Sequence, residues 1–447
     1  YQALSALDAL DDKHLMTIDF QTKIGCDFKS SETTNTEWQG EYTLWWPTKQ
    51  SYSVENSLDI IDVDEWTGIP ENKDYNGGIQ EGVSYVQRTT KGRLRVSAAK
   101  AFLNPAKKRR NLSIRTNAHV MRIELEGKRA TAVRYAVGGR HGVEHVVEAR
   151  REIILSAGTI NSPHILQLSG IGPKELLDDL GIEVKHHLPG VGENLRDHYA
   201  PRFTARAKNI STINELSRGP RLWAEIGKYL LGKQSIVGLG PTLVYAFWHS
   251  NEAIRNHDLQ LTFAPASYKE GVQSQLDNEP GFTVASWQQR PESLGWVKAR
   301  SADPFDKPRI QPNYLSAEED KRVLLAGMRL CRRIMATPEL APYLDYEQYP
   351  GEHIQRDDEL LQVARERGTT TYHLMGACRM GPDSDPTAVV DSDLRVKGIK
   401  GLRVADASIM PTMLSSNLNA GALMIGEKVS DMIRGLPPLE AVELTGK

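Results

Sequence analysis

Cysteine is scarce: only Cys26, Cys331 and Cys378 occur in 447 residues, an odd number, widely spaced and without a C-x-x-C pair. That argues against a disulfide framework and fits a reducing compartment, or a protein that needs no bridges. The expected location is accordingly cytoplasmic. Long apolar runs are also missing, and none approaches the ~18 residues of a membrane span. Charge of one sign is missing too. Lys and Arg number 55 against 57 Asp and Glu, for a formal net charge of −2, so no long-range field gathers nucleic acid or an anionic membrane. The one local exception, Lys107-Lys108-Arg109-Arg110, reads as a solvated end. No H-E-x-x-H, metal-spaced cluster or G-x-S-x-G is present, which leaves zinc hydrolysis and acyl-serine chemistry unsupported. The pairs Gly170-x-Gly172, Gly190-x-Gly192 and Gly238-x-Gly240 never become a G-x-G-x-x-G turn between strand and helix. The chain begins at Tyr1 without a methionine or a signal-peptide pattern, and Tyr1 is not expected to be the natural start.

What remains is the composition of an ordinary globular protein, 40% hydrophobic and 25% charged, long enough to predict two domains. Residues 1–75 are polar and irregular, with a short helical pattern near Leu4–Leu10. Arg93–Leu103 reads as a helix ended by Asn104-Pro105, because proline disfavours the helical conformation before it. Four alternating runs, Leu112–Thr116, Val120–Leu125, Ala130–Val137 and Gly142–Ala149, predict a β-meander. The apolar run Glu152–Ser156 reads as a strand buried on both faces, turning through Ala157-Gly158 into a helix at Ser162–Leu168. Lys174–Leu180 is bracketed by Pro173 and Gly181, a helix start and stop. Between about 200 and 370, strands mix with amphipathic helices. The clearest runs from Ser316 to Met335, with Ser316 and Glu319 forming a capping box.

Two segments could carry chemistry. In Thr371-Tyr-His-Leu-Met-Gly-Ala-Cys-Arg-Met-Gly381, His373 sits among small and apolar residues, where burial can move its pKa and make it an acid or base. A lone histidine is more often a satisfied core residue, so this segment stands weakly by itself. The second segment is Gly401-Leu-Arg-Val-Ala-Asp-Ala-Ser-Ile-Met-Pro411, followed by Ser415-Ser-Asn-Leu-Asn-Ala-Gly421. Leu402–Ala405 reads as a short strand whose end Asp406 caps, and a helix follows from Ala420. Asn417 and Asn419 then lie at a helix N-terminus, which favours electron-rich ligand atoms. Ordinary N-capping by asparagine is the competing account.

Together these segments resemble the closing part of the GMC (glucose–methanol–choline) oxidoreductases, in their choline-dehydrogenase-like branch. The shared pattern is tyrosine–histidine, G-x-C-x-M-G, L-R-V-x-D-A-S-x-M-P, N-x-N-A and M-I-x-E-K. Further resemblance lies in Gly158–Gly172 and in Pro189-Gly-Val-Gly-Glu-Asn-Leu-Arg-Asp-His198. Weaker echoes occur at Arg290–Gly295, Ser301–Pro304 and Phe28–Glu32, so the likeness runs along nearly the whole chain in the family's order.

The resemblance implies an α/β fold: an FAD-binding Rossmann-like half from 76–200 and 373–440, and a substrate half from 1–75 and 201–372 with a mixed or antiparallel sheet under helices. It implies that FAD is the cofactor and a small-molecule alcohol the substrate, with His373 taking the hydroxyl proton and Asn417 as its partner 44 residues on. Asp406, Ala407 and Asn419 fall where the family touches the ribityl, pyrophosphate and pyrimidine parts of FAD. Ala157, Gly158 and the backbone of Val120 fall near its adenosine end. Leu374 departs from the proline that many relatives carry there. The family's first two glycine-rich motifs are not found, and the expectation is a chain that lacks the N-terminal βαβ unit. Asp197-His198 is read as structural and His186-His187 as solvated. Trp45, Trp46, Trp248 and Trp287 could cage a quaternary ammonium or simply pack the core. The same resemblance also admits a non-redox lyase or a flavin-free remnant. Which alcohol is oxidised, and whether oxygen, a quinone or another carrier takes the electrons, stays open.

Overall fold

Short alternating strands and two apolar cores set the frame of this computed structural model, which describes residues 15–18, 68–92, 94–240, 242–254, 256–269 and 275–438. The readings made on Leu4–Leu10, Cys26, Phe28–Glu32, Trp45 and Trp46 lie outside these residues.

The first core belongs to the α/β half. Strand β1 (Leu15–Ile18) is the earliest described element, and β2 (Gly82–Tyr85) belongs to the second half. Strand β3 (Leu112–Arg115) pairs in parallel with β1. It therefore leaves the expected four-stranded meander, which has three strands: β4 (Ala118–Glu126), β5 (Arg129–Val137) and β6 (Val143–Glu148), all antiparallel. Ala118 and Val120 of β4 turn inward by alternation, and an irregularity between Val120 and Arg122 shifts the inward face to Ile123. Strand β7 (Ile153–Leu155) runs into helix α1 (Gly158–Leu168), and α2 (Lys174–Asp179) follows. Far along the chain, β13 (Leu402–Val404) pairs in parallel with β7 and precedes α5 (Asn419–Arg434). Leu155, Leu166, Val404, Ile425 and Val429 share this core with the inner face of the meander.

Three expectations change here. Among the described residues β7 pairs with β13, and this two-stranded ribbon buries Leu155 while leaving Ile153 and Ile154 half-buried, not covered on both faces. Helix α1 starts at Gly158 and not at Ser162, because Ser162 Oγ accepts a hydrogen bond from Ala157 N (3.0 Å) across the turn. The helical stretch before Asn104-Pro105 is a wide π turn, Ala99–Leu103, that continues through Asn104–Ala106. Proline does not stop it. The wide turn is closed by Asn104 N on Ala99 O, one residue before the proline.

The second core lies under a six-stranded antiparallel sheet in the order β12 (Leu344–Tyr349), β8 (Arg202–Ala207), β11 (Gly281–Gln288), β10 (Leu259–Ala264), β9 (Val244–Trp248), β2. Its edge strand β2 lies within 76–200, the stretch assigned from sequence to the FAD half, yet pairs with β9. Hydrogen bonding across the fold, and not chain order, places it. Helices α3 (Glu318–Met335) and α4 (Asp357–Arg367) border the sheet, and α3 sets Val323, Leu324, Met328 and Cys331 into the core. The predicted capping box at Ser316 does not form. Ser293 Oγ takes the backbone N–H groups of Ser316 (3.0 Å) and Ala317 (3.1 Å), so α3 begins at Glu318, and Glu319 pairs with Arg322 instead.

No helix among the described residues is long and apolar enough to cross a membrane. Met328 is fully buried between α3 and the sheet. Met328→Ala is therefore expected to lower unfolding stability by about 2–5 kcal/mol, read as a shift in urea midpoint. A change below about 0.5 kcal/mol, the range of surface substitutions, would mean that α3 is not packed as described.

Candidate active site

Two turns meet at the carboxyl ends of β7 and β13, and one carboxylate joins them. Asp406 is fully buried. Its Oδ2 accepts from Gly158 N (3.0 Å) and from the Ser162 hydroxyl, and its Oδ1 from Ser408 N (2.8 Å). Burial raises its pKa, while the hydrogen bonds of Ser162, Ser408 and Gly158 favour the ionised form. Gly158 has a φ of +82°, which only glycine adopts without cost, so the chain turns from strand to helix directly at this carboxylate. The next segment is laid against the second turn: Gly376 N donates to Ala407 O (3.1 Å) and Cys378 N to Ser408 O (2.8 Å). Ala157, Gly158, Asp406 and Ala407 thus come together. Asn419 opens α5, and Val120 joins the group through the apolar core it shares with Leu155 and Ala157.

His373 is carried on the loop just before Gly376. Tyr372 takes a left-handed φ of +63°, a strain of about 1–3 kcal/mol for a non-glycine residue. The buried Asp197 holds the loop in that shape. Its Oδ1 accepts from His373 N (2.9 Å), while Tyr314 and Thr370 donate hydroxyls to Oδ2. On one side of the imidazole, Nε2 lies 2.9 Å from Asn417 Nδ2. On the other, Nδ1 lies 2.9 Å from His198 Nδ1 and 2.8 Å from Thr371 Oγ1. His198 is wholly buried, with Nε2 2.7 Å from Gln289 O. Burial, and secondarily the neighbouring His198, pushes His373 down to about 3. Burial likewise holds His198 at about 4. Both rings are neutral at pH 7.

The large sheet supplies the surroundings. Trp287 lies 6.3 Å from His373 between ring centroids, and Gln260 Nε2 reaches Asn417 Oδ1 at 3.4 Å. The Tyr245 hydroxyl also bonds Asn417. Gln289 Nε2 donates to Ser415 O (3.0 Å), on the turn before Asn417. Gln260 Oε1, Gln289 Oε1 and Trp287 Nε1 are buried without a hydrogen-bond partner. Buried polar atoms normally have one, and unpartnered atoms beside a histidine–asparagine pair suit a polar ligand.

The sequence-predicted pair His373 and Asn417 is brought together, and the residues read as bystanders are reassigned. Asp197 and His198, read as structural, grip the backbone and the ring of His373. Their only sequence signal was an Asp-His dipeptide inside a recognised motif. A contact across 175 residues leaves no local trace. His186, read as solvated, is half-buried with Nε2 2.8 Å from Lys397 O, because its strand is bridged to Ile171. Of the tryptophans, Trp287 stands beside His373, whereas Trp248 meets His249 edge-on at 5.2 Å. Among the described residues no group of three or more His, Cys, Asp or Glu could hold a metal ion.

A parallel strand pair with its turns at the carboxyl ends, joined to an antiparallel sheet through a half-buried histidine–asparagine pair, is a mixed α/β build of the kind that receives a ligand at its strand ends. Two family models, both described as GMC oxidoreductase, match residues 48–200 and 291–426. The oxygen-dependent choline dehydrogenase of Vibrio vulnificus (strain YJ016) is 39% identical over 386 residues, covering 85% of this chain and 67% of that protein. The mitochondrial choline dehydrogenase of Homo sapiens is 40% identical over 383 residues, covering 85% and 63%. Among solved structures, pyridoxine 4-oxidase from Mesorbium loti superposes with a TM-score of 0.72 at 27% identity, covering 83% of this chain and 68% of that one. A formate oxidase from Aspergillus oryzae RIB40, studied for its FAD modification, gives 0.76 at 25%, covering 84% and 69%. The chain belongs to the GMC oxidoreductase family. It spans about two thirds of the length of the curated relatives it matches.

FAD is the cofactor that these relationships support, and the residues present fit one side of it. Ser156 Oγ, at the carboxyl end of β7, is buried without a partner, where open α/β sheets receive a dinucleotide. The Asp406 carboxylate, in contrast, is engaged by three protein donors, so its part is to hold the two turns that face such a ligand.

The depressed histidines also set a pH dependence. Their folded pKa values, about 3 and about 4, lie below the unfolded value. Their stabilisation is therefore fully present above about pH 6.5 and is lost as pH falls through the folded values, by at most about 1.4 kcal/mol per pH unit per proton. Denaturant midpoints at pH 7 and pH 5 should show the loss, and His373→Asn should lose less. Equal losses would show that His373 binds its proton as readily folded as unfolded.

Proposed function

We propose that this chain carries the chemistry of an FAD-dependent alcohol oxidation, converting a primary alcohol to an aldehyde, with His373 as the proton acceptor. The carrying observation is a half-buried, neutral His373 whose Nε2 faces the amide of Asn417 at 2.9 Å. Bound FAD supplies a hydride acceptor at its N5. Ala157, Gly158, Ala407 and Asn419 would line it, with the Val120 backbone toward the adenosine end.

His373 accepts the hydroxyl proton at Nε2, which raises the electron density on the carbinol carbon and eases departure of the hydride. Asn417 Nδ2 donates to the oxygen as negative charge develops on it. Burial keeps water from competing for that proton. The unpartnered carbonyl oxygens of Gln260 and Gln289 turn partial negative charge toward a bound cation. Trp287 offers a π face beside His373, a surface suited to a cationic alcohol. Choline, named in the relatives at 39% and 40% identity, is therefore the first substrate to try.

The purified chain loaded with FAD and desalted should keep its visible absorption. Anaerobic addition of choline or another primary alcohol should bleach it. His373→Ala should slow that bleaching by about 10²–10⁴-fold and Asn417→Ala by about 10²–10³-fold, with flavin content unchanged. A bound flavin that no alcohol reduces would end the reading and favour a lyase. A colourless preparation would assign the cofactor site to more than this chain.

A further inference from the structure

The proton inventory around His373 can be read outward from one atom whose role is not negotiable. The Gln289 carbonyl oxygen can only accept, so His198 Nε2, 2.7 Å away, carries a hydrogen. A neutral imidazole has one hydrogen, which leaves His198 Nδ1 as a bare lone pair. That lone pair lies 2.9 Å from His373 Nδ1. Two lone pairs at this distance would repel, so His373 Nδ1 must carry the hydrogen. The third partner agrees. Thr371 Oγ1 donates to His198 O at 3.1 Å and is therefore an acceptor toward His373 Nδ1 at 2.8 Å. With Nδ1 protonated, His373 Nε2 is the bare nitrogen, and it faces a group that can only donate, Asn417 Nδ2 at 2.9 Å.

We infer that His198 is a positioning residue that sets the tautomer of His373, keeping the basic lone pair on Nε2. The relay is Gln289 O, His198, His373, Asn417. It moves no proton along its length in the resting state: each link decides which nitrogen of the next is bare. When His373 takes a proton at Nε2, its Nδ1–H stays bonded to His198 and Thr371, so the new imidazolium is stabilised without a second transfer. Burial of His198 serves this role, because a protonated His198 would present a hydrogen to His373 Nδ1 and invert the tautomer. Asp197 completes the arrangement by fixing the backbone of the same residue through His373 N at 2.9 Å. Adjacent residues thus hold the loop and orient the charge of its ring. The inference rests on the reading of His373 as proton acceptor.

The test is the ring-nitrogen NMR signature of ¹⁵N-histidine in the FAD-loaded chain, with His373→Asn used for assignment. His373 should show a protonated Nδ1 and a bare Nε2. A protonated Nε2 would overturn the inference without any variant of His198. His198→Leu leaves Thr371 Oγ1 as the remaining acceptor at Nδ1, so it should admit a measurable share of the other tautomer and lower the rate of flavin reduction in proportion to that share, with KM little changed. His198→Asn, whose side-chain oxygen can accept near the lost Nδ1, should recover much of that rate and the bare Nε2. A His198→Leu protein that keeps both tautomer and rate would also refute it. Should His373→Ala reduce flavin as fast as the unaltered protein, the functional reading fails, while the NMR result still judges the tautomer separately.

Discussion

The carboxylate of Asp406 is the point on which the site's geometry hangs. It joins the turn after β7 to the turn after β13, two stretches 248 residues apart. With Ser162 and Ser408 it replaces the water that a buried carboxylate would otherwise lack. Once the two turns are held, the backbone from Gly376 to Met380 lies along the second of them. That lie aims the loop carrying His373 at Asn417. Loss of the carboxylate would leave two buried donors and the half-buried Gly158 N–H facing nothing, so the turn geometry, and not merely one contact, depends on it.

The second constraint is electrical. His198 is buried and His373, half-buried, lies against it; neither carries charge at pH 7, because burial withholds the water a charged imidazole needs and, for His373, the neighbouring His198 adds to that cost. A neutral imidazole is the form that can take a proton. Burial thus serves packing and chemistry together, with Asp197 bonded to the backbone of His373 and to two hydroxyls, so that it holds the loop without pairing with the ring.

The two halves also divide labour. The α/β half contributes turns, glycine and small side chains at the carboxyl ends of its strands. The antiparallel half contributes the glutamines, Tyr245 and Trp287 on neighbouring strands, which stand beside Asn417 and His373. The pair itself is shared. His373 hangs on a loop braced by Asp197, Asn417 sits just before α5, and the large sheet braces both through Gln289 and Gln260.

Much of this was legible without coordinates. Alternation along Val120–Leu125 and Ala130–Val137, the proline and glycine around Lys174–Leu180, and the small-residue turn at Ala157-Gly158 are local signals, and local sterics write them directly into sequence. The motifs around His373 and Asn417 were legible too, since residue type and order carry a family resemblance. Tertiary structure alone decided the rest. It took Leu112–Arg115 out of the meander and Gly82–Tyr85 into the large sheet, because strand pairing is chosen by partners far away in sequence. It moved the start of α3 by spending Ser293 on the backbone that Ser316 was expected to cap. It also made His198 the neighbour of His373 and turned Asp406 inward. Sequence by itself determined the family and most element types. Which nitrogen faces which oxygen was left to packing, because a hydrogen bond depends on distances that no spacing along the chain encodes.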